Sequence, residues 1–596
     1  VDAGVRDPVA RGVRVATLAV LALAALQGLV GLYRFGQERF FTIDEYQYGH
    51  ATWLVSQGQK PYVDFYEHHF PLSYVAHAPL VGDDAGFVVK ALRLRAIVFA
   101  YLVGLSAVLV LATGAVTRSA HGALLAAILP LGVGFGRMSA IEYRADTFAA
   151  CLWVACLALL EANRRWGRRS VSALCAVLFA ASLLMTQKMI AVAGGTLAVL
   201  AAVDGARWLR GGGRPGSAAF LRFPVCLAAV AGSLLVAAVA IGGWLGLLPA
   251  AFEATVLDAI QHERVYPTTA IGLGDYLAPF WQATWGSTTP ILLLAALFLA
   301  LGRSGLWAVA LLVAAAAAGL ARAQYPYNYI FVSIVVGLCA VRGCILVVEW
   351  IPLRSRRAAS MRPLLYLAPL LLLPDQLGFL DRASGNGSQL TLLRKIEAFS
   401  REDDAVIDDA GGALFRPHGS YFWYHGKAHQ QIFADYFERE LVKDYRRSRA
   451  LFWIADFRLR ELPQSVRDFW ARHYVRADRN LYTLGFVTPR TGDAPSQVEI
   501  DVIREGDYHV HPAPAIAARR GGRGEAPARL RIDGREVASG TVHLGEGPHR
   551  IAVPPGSPPM VLSLLPPEGF EPWVTGPGHH MRLFEYRDRI PGGREG

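Results

Sequence analysis

The chain has 596 residues, of which 53% are hydrophobic and 18% charged, with a mean hydropathy of +0.31 and a formal net charge of +11. That apolar balance excludes an ordinary soluble globule and points to a polytopic α-helical membrane protein. Much of the basic excess lies in short loops between apolar runs, so it reports topology, and no nucleic-acid partner is expected. All six cysteines fall in or beside apolar runs, which leaves the polar C-terminal region without a disulfide framework.

In chain order, residues 13–32 form the first apolar run. A cleaved signal peptide is the competing reading, but the length of the run and its direct lead into an acidic loop favour a retained anchor. Arg6, Arg11 and Arg14 at its start predict a cytoplasmic N-terminus. Further spans are predicted near 93–114, 120–137, 146–162, 170–186, 189–205, 223–248, 288–301, 304–320, 328–349 and 363–374, about eleven in all. Alternate connections carry Arg118, the 163–169 run, Arg207 to Arg222, Arg303, and Arg354 to Arg362. The positive-inside rule makes that side cytoplasmic. The first loop, residues 136–145, Gln187-Lys188, 249–287, 323–329 and everything after about 375 are then expected on the periplasmic side of a bacterial inner membrane.

From Asp375 the composition becomes polar and mixed. Residues 390–400 read as an amphipathic helix, 404–408 and 450–456 as strands, 465–474 as a helix and 481–487 as a strand, which makes a small α/β domain. Residues 488–496 read as a linker. Short alternating runs at 498–503, 528–532, 540–544, 549–553 and 560–565 then predict a β-sandwich.

The residues with chemistry gather on the outer loops. Asp44 and Glu45 follow the first span, in Phe41-Thr-Ile-Asp-Glu-Tyr-Gln-Tyr-Gly-His50, and Pro61-Tyr-Val-Asp-Phe-Tyr-Glu-His-His-Phe-Pro-Leu72 continues that loop. Carboxylates beside a low-dielectric boundary usually have a task or a partner; the bland alternative is a loop start or a helix N-cap. Glu142, Arg144 and Asp146 lie on the second outer connection, where capping alone would explain Asp146. Lys188 either snorkels as an interface anchor or holds a phosphate at the bilayer surface. Arg322 and the Tyr325-Pro-Tyr-Asn-Tyr329 run are similarly placed. His68 and His69 would need further ligands to hold zinc and are read first as loop stabilisers; a divalent cation near the acidic first loop stays open. His262, Glu263 and Arg264 read as a solvated helix face on a loop able to cover a site. Tyr421, Trp423, Tyr424 and Trp573 are read as core before sugar platforms.

Carboxylates and cations at an outer membrane face suit sugar transfer from a lipid phosphate. The cations hold the phosphate and the charge it gains on leaving. A carboxylate takes the proton of the attacking hydroxyl. The alternative class, a transporter or flippase, predicts polar residues at mid-span and duplicated halves; by sequence the charges gather at the outer mouths and no duplicated half is evident.

The Asp44-Glu45 pair, the 61–72 stretch, Tyr143-Arg-Ala-Asp-Thr-Phe148 and Gln187-Lys188 resemble the GT-C superfamily of membrane glycosyltransferases. The likeness is to the PMT/ArnT branch of bacterial protein O-mannosyltransferases, aminoarabinose transferases and their relatives. The resemblance implies a GT-C transmembrane catalytic domain over 1–375 and a periplasmic α/β domain over 376–490. The distal β-sandwich at 497–586 departs from shorter members and resembles the carbohydrate-binding modules of some arabinosyltransferases. The family moves a sugar with inversion from a polyprenyl-phosphate donor and needs no certain cofactor. Carried over, the base falls on Asp44 with Glu45 the alternative, the second-loop acid on Asp146, and the donor-phosphate cations on Lys188 and Arg144. Glu142, His68, His69 and Tyr325 would line the substrate, and the acceptor would be a glycan, lipid or protein.

Overall fold

The computed structural model describes residues 8–132, 141–210, 246–265, 273–301, 305–320, 326–353, 355–372, 385–408, 411–455, 457–478, 480–513, 529–537 and 540–566, with scattered residues from 232 to 243. The helices before residue 375 are α1 (Pro8–Glu38), α2 (Ile43–Ser56), α3 (Leu72–His77), α4 (Phe87–Thr117), α5 (Ala120–Gly132), α6 (Ala145–Trp166), α7 (Arg169–Met185), α8 (Gly195–Arg210), α9 (Asp258–Val265), α10 (Leu273–Leu301), α11 (Gly305–Leu320), α12 (Ile330–Trp350) and the short α13 (Arg356–Ser360). A 3-10 helix, Arg362–Leu372, follows.

Among the described residues, α1, α4, α6, α12 and the Thr284–Leu301 part of α10 are long and apolar enough to cross a membrane. Six further apolar helices are shorter, including Ala120–Leu131, Arg169–Met185 and Gly305–Gly319. The stretch expected to span at 223–248 lies mostly outside the described residues. The last expected span takes the steeper 3-10 form, so its 11 residues rise roughly 22 Å. Both α1 and α4 have 31 residues, about 46 Å of helix against a hydrocarbon core of about 30 Å. Each is therefore longer than the hydrocarbon core is thick, and α4 carries Arg95, which organises the outer mouth.

Helix crossings are closed by residues without side chains. A Cβ on Gly343 of α12 would lie 1.9 Å from the Leu294 carbonyl oxygen of α10, and one on Gly337 would lie 2.5 Å from the Pro130 Cα of α5. Small residues let membrane helices approach this closely. The expectation that charge gathers only at the outer mouths is corrected inside this bundle. Arg342 Nη2 of α12 donates to Glu161 Oε2 of α6 at 2.9 Å, and Trp307 Nε1 of α11 donates to the same oxygen at 3.0 Å. Each charge is tolerated among apolar spans because the other satisfies it.

After the membrane part, α14 (Gly387–Phe399) lies against the loop leaving α1. Gln389 bridges both polar groups of Phe41, accepting from its N–H at 2.7 Å and donating to its carbonyl at 2.9 Å. The strands are β1 (Val406–Asp408), β2 (Phe452–Ile454), β3 (Tyr474–Arg476), β4 (Leu481–Val487), β5 (Ser496–Val502), β6 (Gly506–Pro512), β7 (Leu530–Ile532), β8 (Arg535–Val537), β9 (Gly540–Leu544), β10 (Gly547–Val553) and β11 (Met560–Ser563). One seven-stranded sheet runs β1-β2-β4-β11-β6-β9 with β3 also on β4, and a four-stranded sheet runs β5-β10-β7-β8. Phe486, Tyr508, Val510 and Leu562 of the first meet Ile500, Val502, Ile532 and Ile551 of the second in one core. Because β4 pairs with β2 on one side and β11 on the other, the α/β part and the two-sheet part share a continuous sheet.

Gly343→Val should lower the thermal midpoint of the detergent-solubilised protein sharply, since its branch meets backbone that cannot swing away. Gly104→Val, where a Cβ meets nothing within 4 Å, should leave the midpoint almost unchanged; equal effects would refute the close crossing.

Candidate functional site

The outer mouth is built where the loop after α1, the start of α2, the 141–144 turn and the Lys188 turn converge. Thr42 caps α2. Its hydroxyl accepts from Glu45 N at 3.4 Å, and Glu45 Oε2 accepts from Thr42 N at 2.9 Å, which is a capping box. Glu45 also receives Arg95 Nε and Nη2, both at 2.8 Å, and Tyr143 N at 3.2 Å. Arg95 comes from the N-terminal part of α4. Its remaining donors go to the carbonyls of Gly36, Arg39 and Phe40, and its guanidinium lies 3.8 Å over the Phe41 ring. Burial opposes ionisation of Glu45, but Arg95 and the Thr42 amide outweigh it and hold the carboxyl below its ordinary range.

Asp44, one residue earlier, has neither duty. Its side chain keeps 16% exposure, against 1% for Glu45, and it pairs with Arg144 Nη1. Arg144 also faces Glu142 Oε2 at 3.5 Å and Asp146 Oδ2 at 3.6 Å. Arg39 Nη2 holds Glu142 Oε1 at 3.2 Å. Burial pushes the Glu142 carboxyl up, against the pull of Arg39 and Arg144. Lys188 Nζ approaches Asp146 Oδ1 at 3.2 Å and Asn328 Oδ1 at 3.3 Å, and its side chain is 37% exposed. Burial of the ammonium, with Arg144 nearby, brings its pKa below the usual lysine value even though Asp146 opposes the change. The predicted N-cap role of Asp146 is corrected: the cap position is Arg144, and Asp146 sits in the first turn with its side chain between two cations.

His68 and His69 lie on the rim of the same mouth. Glu67 Oε1 takes the His69 ring Nδ1 at 2.7 Å, the amides of His68 and His69 at 2.9 and 3.1 Å, and Gln47 Nε2 at 3.4 Å. Among the described residues, Glu67, His68 and His69 form the one group whose ligand atoms lie within 4.8 Å of one another. The same oxygen already serves four donors, which staples the loop. Tyr62, in a left-handed conformation at φ 70°, is pinned by its hydroxyl bond to the His69 carbonyl and by Tyr421 donating to its own carbonyl at 2.8 Å. Trp423 is buried as predicted and donates to Tyr66 O at 2.9 Å. Tyr325 and the side chains of His262 and Glu263 lie outside the described residues, as does Trp573. From that outer loop it is Asp258 that reaches the first loop, accepting from Tyr66 Oη at 3.3 Å.

No family model matches the chain. No curated protein matches it. Among solved structures, ArnT from Cupriavidus metallidurans bound to undecaprenyl phosphate aligns over 79% of this chain and 97% of its own, at 12% identity and a TM-score of 0.53. ArnT in the apo state aligns over 79% and 98%, at 14% identity and the same TM-score. The chain has an ArnT-like fold. At such identities the likeness carries the fold alone. The arabinosyltransferase EmbB from Mycobacterium smegmatis aligns over 92% of this chain and 64% of its own at 13% identity, and its TM-score of 0.36 supports no argument.

Sequence reasoning overlooked Arg39 and Arg95 in this mouth, and also one tyrosine. Tyr48 lies one helical turn after Asp44 on α2, its ring 4.8 Å from the His69 ring. Its hydroxyl is buried with no hydrogen-bond partner among the described residues, within electrostatic range of Asp146, Arg144, Glu67 and Asp44. The i, i+4 spacing was visible; that Tyr48 would turn inward was not. Tyr48→Phe should leave the thermal midpoint of the ligand-free protein unchanged or raised, since an unsatisfied buried hydroxyl costs about 1–3 kcal/mol. A clear fall would mean that the hydroxyl has a structural partner.

Proposed function

We propose that the protein is an inverting glycosyltransferase that moves a sugar from a polyprenyl-phosphate donor to a hydroxyl of a cell-envelope acceptor on the periplasmic side. The observation that carries this reading is the division of labour between Asp44 and Glu45. Glu45 is committed to Arg95 and the cap, whereas Asp44 keeps exposure beside a row of cations. A base must reach the acceptor hydroxyl, so Asp44 takes that role. Arg144 and Lys188, which share Asp146, would receive the donor phosphate and the charge that develops as its oxygen leaves the anomeric carbon. Binding would loosen their contacts to Asp146 in exchange for charge-assisted bonds to phosphate. Support also comes from the fold shared with ArnT, which has been solved bound to undecaprenyl phosphate.

Glu142, His68 and His69 would shape the sugar and acceptor sides of the mouth. The C-terminal two-sheet module would hold a glycan acceptor through the outward-facing Asp507, His509, Thr541 and His543 of β6 and β9. The transporter reading gains no support from the Glu161–Arg342 pair, because each charge is satisfied by a fixed partner.

Asp44→Asn should reduce transfer from undecaprenyl-phosphate mannose, arabinose or aminoarabinose by about 10²–10⁴-fold, whichever sugar is used, with the fold intact. Full retained transfer would remove Asp44 as the base. Undecaprenyl phosphate binding, followed by native mass spectrometry, should weaken in Lys188→Ala. It should also weaken as pH rises through the depressed pKa of Lys188, because the charged ammonium is the binding form. Lys188→Arg should retain binding at alkaline pH; a Lys188→Ala protein that binds as tightly as wild type would reject the phosphate role.

A further inference from the structure

The end of the bundle opposite the carboxylates has its own chemistry. α12 starts next to Asn328, which touches Lys188, and ends at Trp350, whose side chain is 72% exposed, as an aromatic anchor at a bilayer interface would be. Towards this end α10, α12 and the 362–372 helix line an apolar cleft of about 490 Å³. Leu293, Leu297, Val347, Ile351, Leu365 and Ala368 are among its walls. The cleft lies beside the Gly343 crossing: Leu294, against which Gly343 packs, is itself a wall residue.

Charge sits at the polar end of this cleft. Arg362 Nη2 donates to the carbonyl of Ile351, a wall residue, at 3.0 Å, while its Nε has no partner among the described residues. No carboxylate pairs with Arg362 among those residues. Arg356 and Arg357 lie on α13, in the same short connection. The surrounding face exposes Arg11, Arg14, Arg118, Arg165 and Arg168 at the corresponding ends of α1, α4 and α6. Glu349 and Arg362 both act on Tyr366 at this end, yet an apolar slot beside a guanidinium with no ion-pair partner among the described residues, on a face rich in arginine, matches a lipid with a hydrocarbon chain and a phosphate headgroup.

We propose that this cleft binds an anionic phospholipid of the leaflet opposite the mouth, with one acyl chain between α10, α12 and the 362–372 helix and its phosphodiester against Arg362. The site is separate from the donor site and does not depend on the chemistry assigned to the mouth. Its occupant would add to the contacts that tie the 362–372 helix to the bundle.

The test uses the full chain, delipidated in detergent and titrated with dioleoylphosphatidylglycerol or dioleoylphosphatidylcholine, which share the same chains. Native mass spectrometry should detect a phosphatidylglycerol adduct that Arg362→Gln weakens roughly fivefold, the effect of one arginine on an anionic headgroup, with little change for phosphatidylcholine. Ala368→Trp, on an exposed wall position, should block the slot for both lipids and keeps the test usable should Arg362→Gln fail to fold. Equal binding of the two lipids, unaffected by either substitution, would overturn the proposal. So would a cleft from which undecaprenyl phosphate displaces phosphatidylglycerol, with Ala368→Trp abolishing binding of the polyprenyl lipid, since the groove would then belong to the donor's tail.

Discussion

The outer mouth depends on one buried ion pair. Arg95 uses all five of its N–H donors, two on Glu45 and three on carbonyls at the end of α1. Glu45 in turn fixes the cap of α2 and the amide of Tyr143. One pair thus sets the relative positions of α1, α2, α4 and the turn before α6. Breaking such a pair leaves an uncompensated buried charge, at a cost of about 3–5 kcal/mol. The pair is best understood as a device for geometry, because its Coulombic gain is largely offset by desolvation.

With that frame fixed, the other charges fall into a nearly balanced row. Arg39 meets Glu142, Arg144 meets Asp44, Glu142 and Asp146, and Lys188 meets Asp146. Balance lets so many ionised groups share a partly dry site. Exposure then separates the members, because the two most open ones, Asp44 and Lys188, are a carboxylate and an ammonium on the same mouth. The C-terminal part closes the frame from outside. His50 of α2 reaches the Leu414 carbonyl at 3.0 Å and His418 at 3.2 Å. Burial pushes His50 down to about 4, so this contact is made by a neutral ring at physiological pH. Trp423 and Gln389 add further ties to the same loop.

The two ends of the bundle are thus built on different principles. The mouth binds charge with paired charge inside a rigid frame. The far end sets Arg362, which has no ion-pair partner among the described residues, beside an apolar cleft. The Glu161–Arg342 pair lies between them and joins α6, α11 and α12.

Much of this was readable in the sequence. Apolar runs gave the membrane class, since hydrocarbon requires long self-satisfied helices. Alternation and Gly/Pro breaks located β1, β2, β4, β5, β7, β9, β10 and β11, and the outer-loop motifs brought Asp44, Arg144, Asp146 and Lys188 to one mouth. Strands β3, β6 and β8 were missed, as were the helices between 427 and 448, because short pieces held by tertiary packing have weak local signals. What separated Asp44 from Glu45 was not local at all. The two are adjacent and chemically equivalent in the chain, and only Arg95, fifty residues away on another helix, commits one of them and leaves the other open. Likewise Asp146 reads as a cap until Lys188 arrives from a different turn. Sequence by itself determined which groups come to the membrane surface, because hydropathy and loop position are properties of the chain. Which of those groups stay buried and which face the mouth was decided by the tertiary structure, because burial and ion pairing depend on partners that the chain brings from far away.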